Sequence, residues 1–449
     1  MAKVVFIGAG SYGFTRGVFR DLMAFDLMDG AEIGLVDINQ DRLDMAKAAC
    51  SKILKEGNFN GTITASKDRR EVLKDADAVV ITILQGDTSV WQHDILIPKK
   101  YGVDINVGDT RGVAGIFRAL RTIPVILDIC KDMEELCPKA LVLNYTNPMA
   151  ILCHAVQRTS SMNFTGLCHS VQGTAGMLAR WAGVPEGELD YTCAGLNHLS
   201  WYTKLEHKGK DIYPILRDKV NNDDEIYKEE IVRNEMFKAF DYYVTESSGH
   251  NSEYSWWFRK RPELIEKYCK DGTGWNPGEF AYILNEYKKR DGNWREDFDK
   301  WLNNPDWDDP EKKEKMMERS EEYASYIINA YLGGKQFKFN GNVKNTGLIT
   351  NLPNGCCVEV PVLATRGSLE PIYVGDIPTP ALPLTALTAI TEQMAVEASL
   401  TGNAKLVYQA IAQDPLTAAV LSLEEIKDMV NEMLEANKDF LPQFKTLKI

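Results

Sequence analysis

Val4-Val5-Phe6-Ile7-Gly8-Ala9-Gly10-Ser11-Tyr12-Gly13 runs a short apolar strand into a complete G-x-G-x-x-G, and a helical pattern through Val18, Leu22, Met23 and Phe25 follows. Strand, glycine loop and helix in that order predict a dinucleotide-binding turn. Gly8 permits the tight turn, Gly10 lets the backbone approach a pyrophosphate, and Gly13 allows close helix packing. The helix start at Ser11 offers unpaired N–H groups and a positive dipole end to an anion. Ile33-Gly34-Leu35-Val36-Asp37 reads as a second strand ending on an acid. A carboxylate there accepts from ribose hydroxyls and repels a 2′-phosphate, which favours NAD over NADP. FAD binding and an empty, vestigial fold are the alternatives.

Outward from this unit, residues 78–83, 105–107 and 140–143 read as further strands, with helices at 41–55 and 117–130. Alternating β and α predicts a Rossmann-like, doubly wound parallel sheet. A strand at 164–167 either closes that sheet or opens the next domain. Beyond residue 170 the pattern changes to charged helical runs at 221–238 and 305–325. Strands are expected within 348–365, joined by the turn Pro353-Asn354-Gly355, and amphipathic helix from about Leu382. The expected division is a NAD-binding domain over 1–170 and an α+β domain over 171–449 carrying catalysis, substrate and subunit contacts.

Composition excludes several partners. The net charge of −13, with 51 basic against 64 acidic residues, disfavours nucleic acid and anionic membranes. No apolar stretch approaches the ~20 residues of a membrane span. Met1-Ala2-Lys3 and the apolar run after it pass straight into glycines, unlike a signal peptide. Nine cysteines without C-x-x-C spacing read as free thiols of a cytoplasmic protein.

Candidate site residues cluster at predicted strand ends. Asn147-Pro148 follows the strand at 140–143, where a doubly wound sheet binds its ligands. An Asn amide there suits a substrate hydroxyl, and the competing reading is a helix start with an Asn cap and Pro behind it. Of the six histidines, His93 and His154 lie in helical patterns and His207 in a surface turn. Cys168-His169 and Asn197-His198 each end an apolar run. Spacing alone leaves open a two-ligand metal pair or a buried thiol and a hydrogen-bonded core histidine. Two ligands are too few for a closed structural zinc site and leave room for substrate oxygens.

G-A-G-S at 8–11, G-D-T at 108–110, R-A-L-R-T-I-P at 118–124, N-Y-T-N-P-M-A at 144–150, G-L-C-H-S-V-Q-G-T at 166–174 and G-L-N-H at 195–198 together resemble glycoside hydrolase family 4. So do V-T-E-S-S at 244–248, Glu253-Tyr254, and N-L-P-N-G-C-C-V-E-V at 351–360. The resemblance is closest to the α-galactosidase (melibiase) branch. It implies a lactate/malate-dehydrogenase-like fold, NAD and a divalent metal, usually manganese, and chemistry outside the two-carboxylate pattern of most glycosidases. The implied route is NAD-mediated oxidation at C3, metal-assisted deprotonation at C2, elimination of the glycosidic oxygen, water addition and re-reduction.

Cys168 and His198 match the metal ligands and Tyr254 the C2 base; Asp109 and His169 are candidates for protonating the leaving oxygen. Gly8, Gly10, Ser11, Gly13, Asp37 and Asn147 are the expected cofactor residues. Asn147, His169, Arg111, His250 and Glu253 are expected to meet the sugar. In this branch His-Ser follows the Cys, which implies an unphosphorylated sugar. The stretch Arg111-Gly112-Val113-Ala114-Gly115 departs from the branch's Gly-Pro-Gly-Gly-like loop, so α-glucosides and α-uronides stay open beside α-galactosides. A dehydrogenase of the lactate/malate type is the rival reading of the fold. The expected assembly is a homodimer or homotetramer acting on a small α-glycoside.

Overall fold

The computed structural model describes residues 1–185, 187–274, 276–320 and 322–449. Its first half is built on β1 (Lys3–Ile7), β2 (Ala31–Val36), β3 (Gly61–Ser66), β4 (Ala78–Ile81), β5 (Leu141–Asn144) and β6 (Asn163–Gly166). They run parallel in the order β3-β2-β1-β4-β5-β6, so the order reverses at β1 and β4. The pleat sorts β1 between two layers. Val4 and Phe6 enter one core with α1 (Tyr12–Met23) and α2 (Gln40–Glu56). Val5 and Ile7 enter the other, with α3 (Arg70–Leu73), α4 (Thr88–Lys100), α5 (Gly112–Leu136) and α6 (Met149–Thr159). Burial on both faces is why these strands read as continuous apolar runs rather than as alternations.

After β6 and α7 (Ser170–Ala182), the hairpin β7 (Asp190–Leu196) and β8 (Leu199–His207) follows, with a short β9 (Lys210–Asp211). The strands β10 (Phe337–Lys344), β11 (Cys357–Thr365) and β12 (Ser368–Pro371) complete one twelve-stranded sheet. It continues from β6 antiparallel through β10, β11, β7 and β8. The C-terminal helices Leu382–Thr401, Ala404–Ile411 and Leu423–Ala436 return to pack on α4, α5 and α6. Among the described residues no helix is long and apolar enough to cross a membrane.

Three expectations need correction. Residues 105–107 form no strand. The N–H groups of Asn106, Val107 and Gly108 donate instead to the Glu253 carboxylate at 2.9, 3.0 and 2.9 Å, so a side chain replaces the ladder. In 348–365 only β11 is a strand, and its hairpin partner is β10. Asn345 prevents the earlier strand: its amide donates to the carbonyls of Ile349, Leu352 and Pro353 and accepts from Ile349 N–H, folding that stretch into a loop. The edge strand β3 went unread because its G-T-I-T-A-S sequence carries little apolar signal. The run 305–325 becomes a 3-10 turn (Pro305–Asp308), the helix Pro310–Met317 and the start of helix Ala324–Tyr331. Residue 321 within it lies outside the described residues.

Candidate active site

The carboxyl ends of the parallel strands β1, β2, β4, β5 and β6 lie along one edge of the sheet. At β1 the loop is tied down by Gly8 and Ala9, whose N–H groups donate to Val36 O at 2.9 and 3.0 Å. Gly8 has φ +88°, and a Cβ there would fall 2.5 Å from Thr82 O. At Gly10 a Cβ would fall 2.5 Å from Asp37 Oδ2, which accepts from Gly10 N–H at 2.7 Å. The expected packing role of Gly13 does not appear, since a Cβ there would meet nothing within 4 Å. That face is open, and no side chain caps the first turn of α1 at Ser11. A closely approached backbone, free N–H groups and an open face fit a pyrophosphate. A helix the sequence reading left unassigned, Tyr282–Leu302, crosses this edge of the sheet. Its Asp291 reaches Arg42 on α2 and Thr88 on α4, both at 3.3 Å, and its Phe298 meets Tyr12 at 5.6 Å.

Cys168 lies just past β6, and His198 in the tight β7–β8 turn, where φ of +62° swings it inward. They converge: Cys168 Sγ is 3.0 Å from His198 Nε2. The thiol is held up at about 11 by burial, with Glu359 and Glu246 adding to it, so it ionises only when a cation binds. The Thr110 hydroxyl gives its proton to Asp109 Oδ1 at 2.7 Å. At 2.9 Å from His198 Nδ1 it is then placed to accept, and in the neutral tautomer this favours, the Nε2 lone pair faces the sulfur. A soft sulfur and an imidazole lone pair on one point are a transition-metal donor set.

Two further groups join them. Asp109, His198 and His250 have ligand atoms within 4.8 Å of one another, a grouping that could hold a metal ion and that brings His250, expected at the sugar, beside His198. Glu246 was not singled out from the sequence. It pairs with His250 Nδ1 at 2.9 Å and lies 3.9 Å from His198 Nε2, at a left-handed φ of +77°. Burial opposes its charge, but His250 and His198 hold it well below the usual carboxylate range. Strain of this kind in a non-glycine residue tends to gather at functional sites.

Other expected residues sort by what holds them. Asn147 does not cap α6, whose N-cap is Pro148; its amide donates to Asp109 Oδ2 at 3.0 Å. Burial of Asp109 favours the neutral acid, but His250, Arg118 and His198 outweigh it and lower its pKa, which makes it a poor proton donor. Tyr254 is buried, and its hydroxyl forms no hydrogen bond of ordinary geometry. Burial raises this phenol well above its usual range, against the Arg111 guanidinium 4.5 Å from its ring centre. Arg111 Nη2 donates to Asn197 O at 2.5 Å and pairs with Glu392 at 3.3 Å, while its Nε and Nη1 have no hydrogen-bond partner among the described residues. The Glu253 carboxylate accepts the three backbone N–H bonds of residues 106–108. His169 is half-exposed, with Nε2 2.6 Å from Glu322 Oε2. The surrounding walls disfavour its cation, and Glu322 more than compensates, raising its pKa.

Fold and site together define a Rossmann-type enzyme whose dinucleotide cradle shares a cleft with an open sulfur–nitrogen ligand pair. Sequence profiles carry this further: the one described as family 4 glycosyl hydrolase matches residues 3–184, and its C-terminal domain matches residues 193–417. The chain belongs to this family and is a glycosidase. It is 38% identical over 452 residues to an α-galactosidase of Bacillus subtilis, covering 99% of this chain and 100% of the relative. A 6-phospho-β-glucosidase of Thermotoga maritima, solved with manganese, NAD+ and glucose-6-phosphate, has a TM-score of 0.76 at 21% identity, covering 98% of this chain and 99% of that one. A malate dehydrogenase of Plasmodium falciparum with NADH has a TM-score of 0.51 at 13% identity, over 91% and 100% of the chains. The fold is therefore lactate/malate-dehydrogenase-like.

Proposed function

We propose that the chain hydrolyses terminal α-galactosides with NAD and a divalent transition metal, manganese by preference. The observation that carries this is the 3.0 Å approach of Cys168 Sγ to His198 Nε2, in the cleft that the Gly8–Gly13 loop also borders. Similarity to the Bacillus subtilis α-galactosidase supports the choice of sugar. When bound, NAD supplies reversible oxidation at C3 of the sugar, and the metal supplies the Lewis acidity that makes the C2 proton removable.

The chain's own residues do the rest. Gly8, Gly10, Ser11, Gly13 and Asp37 hold the dinucleotide, while Cys168 and His198 hold the metal, with His250 and Asp109 beside them. Tyr254 takes the C2 proton, exchanges it with solvent, and protonates C2 again as water adds at C1. Arg111 stabilises the phenolate this requires, since a phenol raised by burial is otherwise too weak a base near neutral pH. His169 gives a proton to the leaving oxygen, a role the ionised Asp109 suits poorly. In this reading residues 1–170 form the dinucleotide domain and 171–449 the substrate and subunit domain of a cytoplasmic homodimer or homotetramer. Nine free thiols accord with that compartment.

Turnover of a nitrophenyl α-galactoside in deuterium oxide tests the reading. Deuterium at C2 of the released galactose is expected, with no net accumulation of NADH. Its absence would point to direct displacement, steady NADH production to a dehydrogenase, and preference for an α-glucoside to a different sugar.

A further inference from the structure

Three segments meet beside Cys168. His169 follows it in the chain, Tyr145 follows β5, and Glu322 precedes helix Ala324–Tyr331. Glu322 Oε2 lies 2.6 Å from His169 Nε2, and Glu322 Oε1 accepts the Tyr145 hydroxyl. The Tyr145 and His169 rings stack at 6.0 Å, so one carboxylate is held by both rings of a stacked pair. Tyr145 also packs at 4.4 Å on Phe14, in the first turn of the dinucleotide helix α1. The segment is anchored by Tyr323, whose hydroxyl donates to Cys168 O at 2.8 Å, and by Ser320, which accepts from Glu322 N–H at 3.2 Å.

A phenol O–H and an imidazole N–H converging on two oxygens make a receptor for a carboxylate or a phosphate. Here the chain's own carboxylate fills it. We propose that Glu322 takes the place an anionic group on the sugar would occupy and so restricts the site to uncharged glycosides. The proposal rests on the α-galactosidase reading above and deepens it. A charged sugar reaching Cys168 and His198 finds Tyr145 and His169 Nε2 already engaged. Such a sugar also meets the Glu322 carboxylate beside half-exposed His169, a repulsion worth about tenfold in affinity.

The test compares kcat/KM for nitrophenyl α-galacturonide and nitrophenyl α-galactoside in the NAD- and manganese-loaded wild type, Glu322→Gln and Glu322→Ala. Glutamine keeps the size and one of the two acceptors and removes the charge; alanine empties the receptor. The galacturonide-to-galactoside ratio should rise at least about tenfold in both variants. Galacturonate binding, measured by calorimetry without turnover, should tighten by a similar factor. In Glu322→Ala, added formate should refill the receptor and return the ratio towards wild type. An unchanged ratio and unchanged galacturonate affinity in both variants would overturn the proposal while leaving the α-galactosidase reading intact. A wild type that prefers the galacturonide would overturn both.

Discussion

Thr110 has one proton to give, and giving it to Asp109 determines the state of His198. Such a supporting contact is usually worth about 10–100-fold in metal affinity. Thr110→Val, which keeps the shape and loses both bonds, should weaken manganese binding by about that factor in a metal titration. Cys168→Ser should abolish glycosidase activity with little change in melting temperature, because volume is kept and the soft ligand lost. Full rate with added manganese would exclude Cys168 as a ligand. Asp414 provides a pH test. It caps helix Pro415–Val420 through Thr417, and burial raises its carboxyl to about 6, with the Thr417 bonds opposing. The native state thus holds this proton more tightly than the unfolded chain, where Asp titrates near ~3.9. Its contribution is fully present below that value and lost as pH rises through about 6. Asp414→Asn keeps the cap, and at pH 8 should be more stable than wild type by up to about 3 kcal/mol in denaturant titration, the gain vanishing towards pH 4.

The glycine loop shows how one element divides labour among identical residues. Gly8 answers to the backbone of residue 82, Gly10 to the Asp37 side chain, and Gly13 to nothing in the chain itself. Gly8→Ala should therefore lower folding stability, through both its φ of +88° and the clash with Thr82 O. Gly13→Ala should leave the melting temperature unchanged yet weaken NAD binding by fluorescence titration, because its added methyl enters open space beside the loop expected to hold the dinucleotide. Wild-type affinity in that variant would mean the dinucleotide takes another path. Helix Tyr282–Leu302 matters at the same scale. It joins α2 and α4 from opposite faces of the sheet across the carboxyl edge, and so walls the cleft.

Across the whole molecule, a buried arginine that is ion-paired within the first half also ties the last helices to it by a hydrogen bond. Arg121 on α5 donates to Asp94 on α4 at 2.8 Å and to Asn437, past the final long helix, at 2.7 Å. Both charges are buried, with side chains 1% and 0% exposed, and burial already pushes the Asp94 carboxyl up against Arg121. Removing one partner of such a pair costs about 3–5 kcal/mol. Arg121→Ala should lower stability by that amount in urea, while Arg121→Ala with Asp94→Ala should recover part of it. Equal loss in the single and double variants would show that the ion pair itself is unimportant.

Short-range regularities made the nucleotide half legible: β1, its glycine loop, the acid ending β2, and the apolar strands at 78–81 and 141–144 are all local patterns. Cys168, His198 and Tyr254 could be named as candidates because their neighbours in the chain form recognisable motifs. What the local pattern could not show was pairing at a distance. Glu253 lies about 145 residues from the N–H groups it binds, and its carboxylate turned an apparent strand into a loop. Arg111 and Glu392 lie 281 positions apart, and nothing local to either marks their contact. Glu322 reaches His169 across 153 positions with no motif marking it. The sequence by itself determined the sheet, the cofactor loop and the ligand types, since these follow from backbone preference and side-chain chemistry. Only the tertiary structure decided which charges remain free for a ligand, because a buried charge's partner is set by packing rather than by its neighbours in the chain.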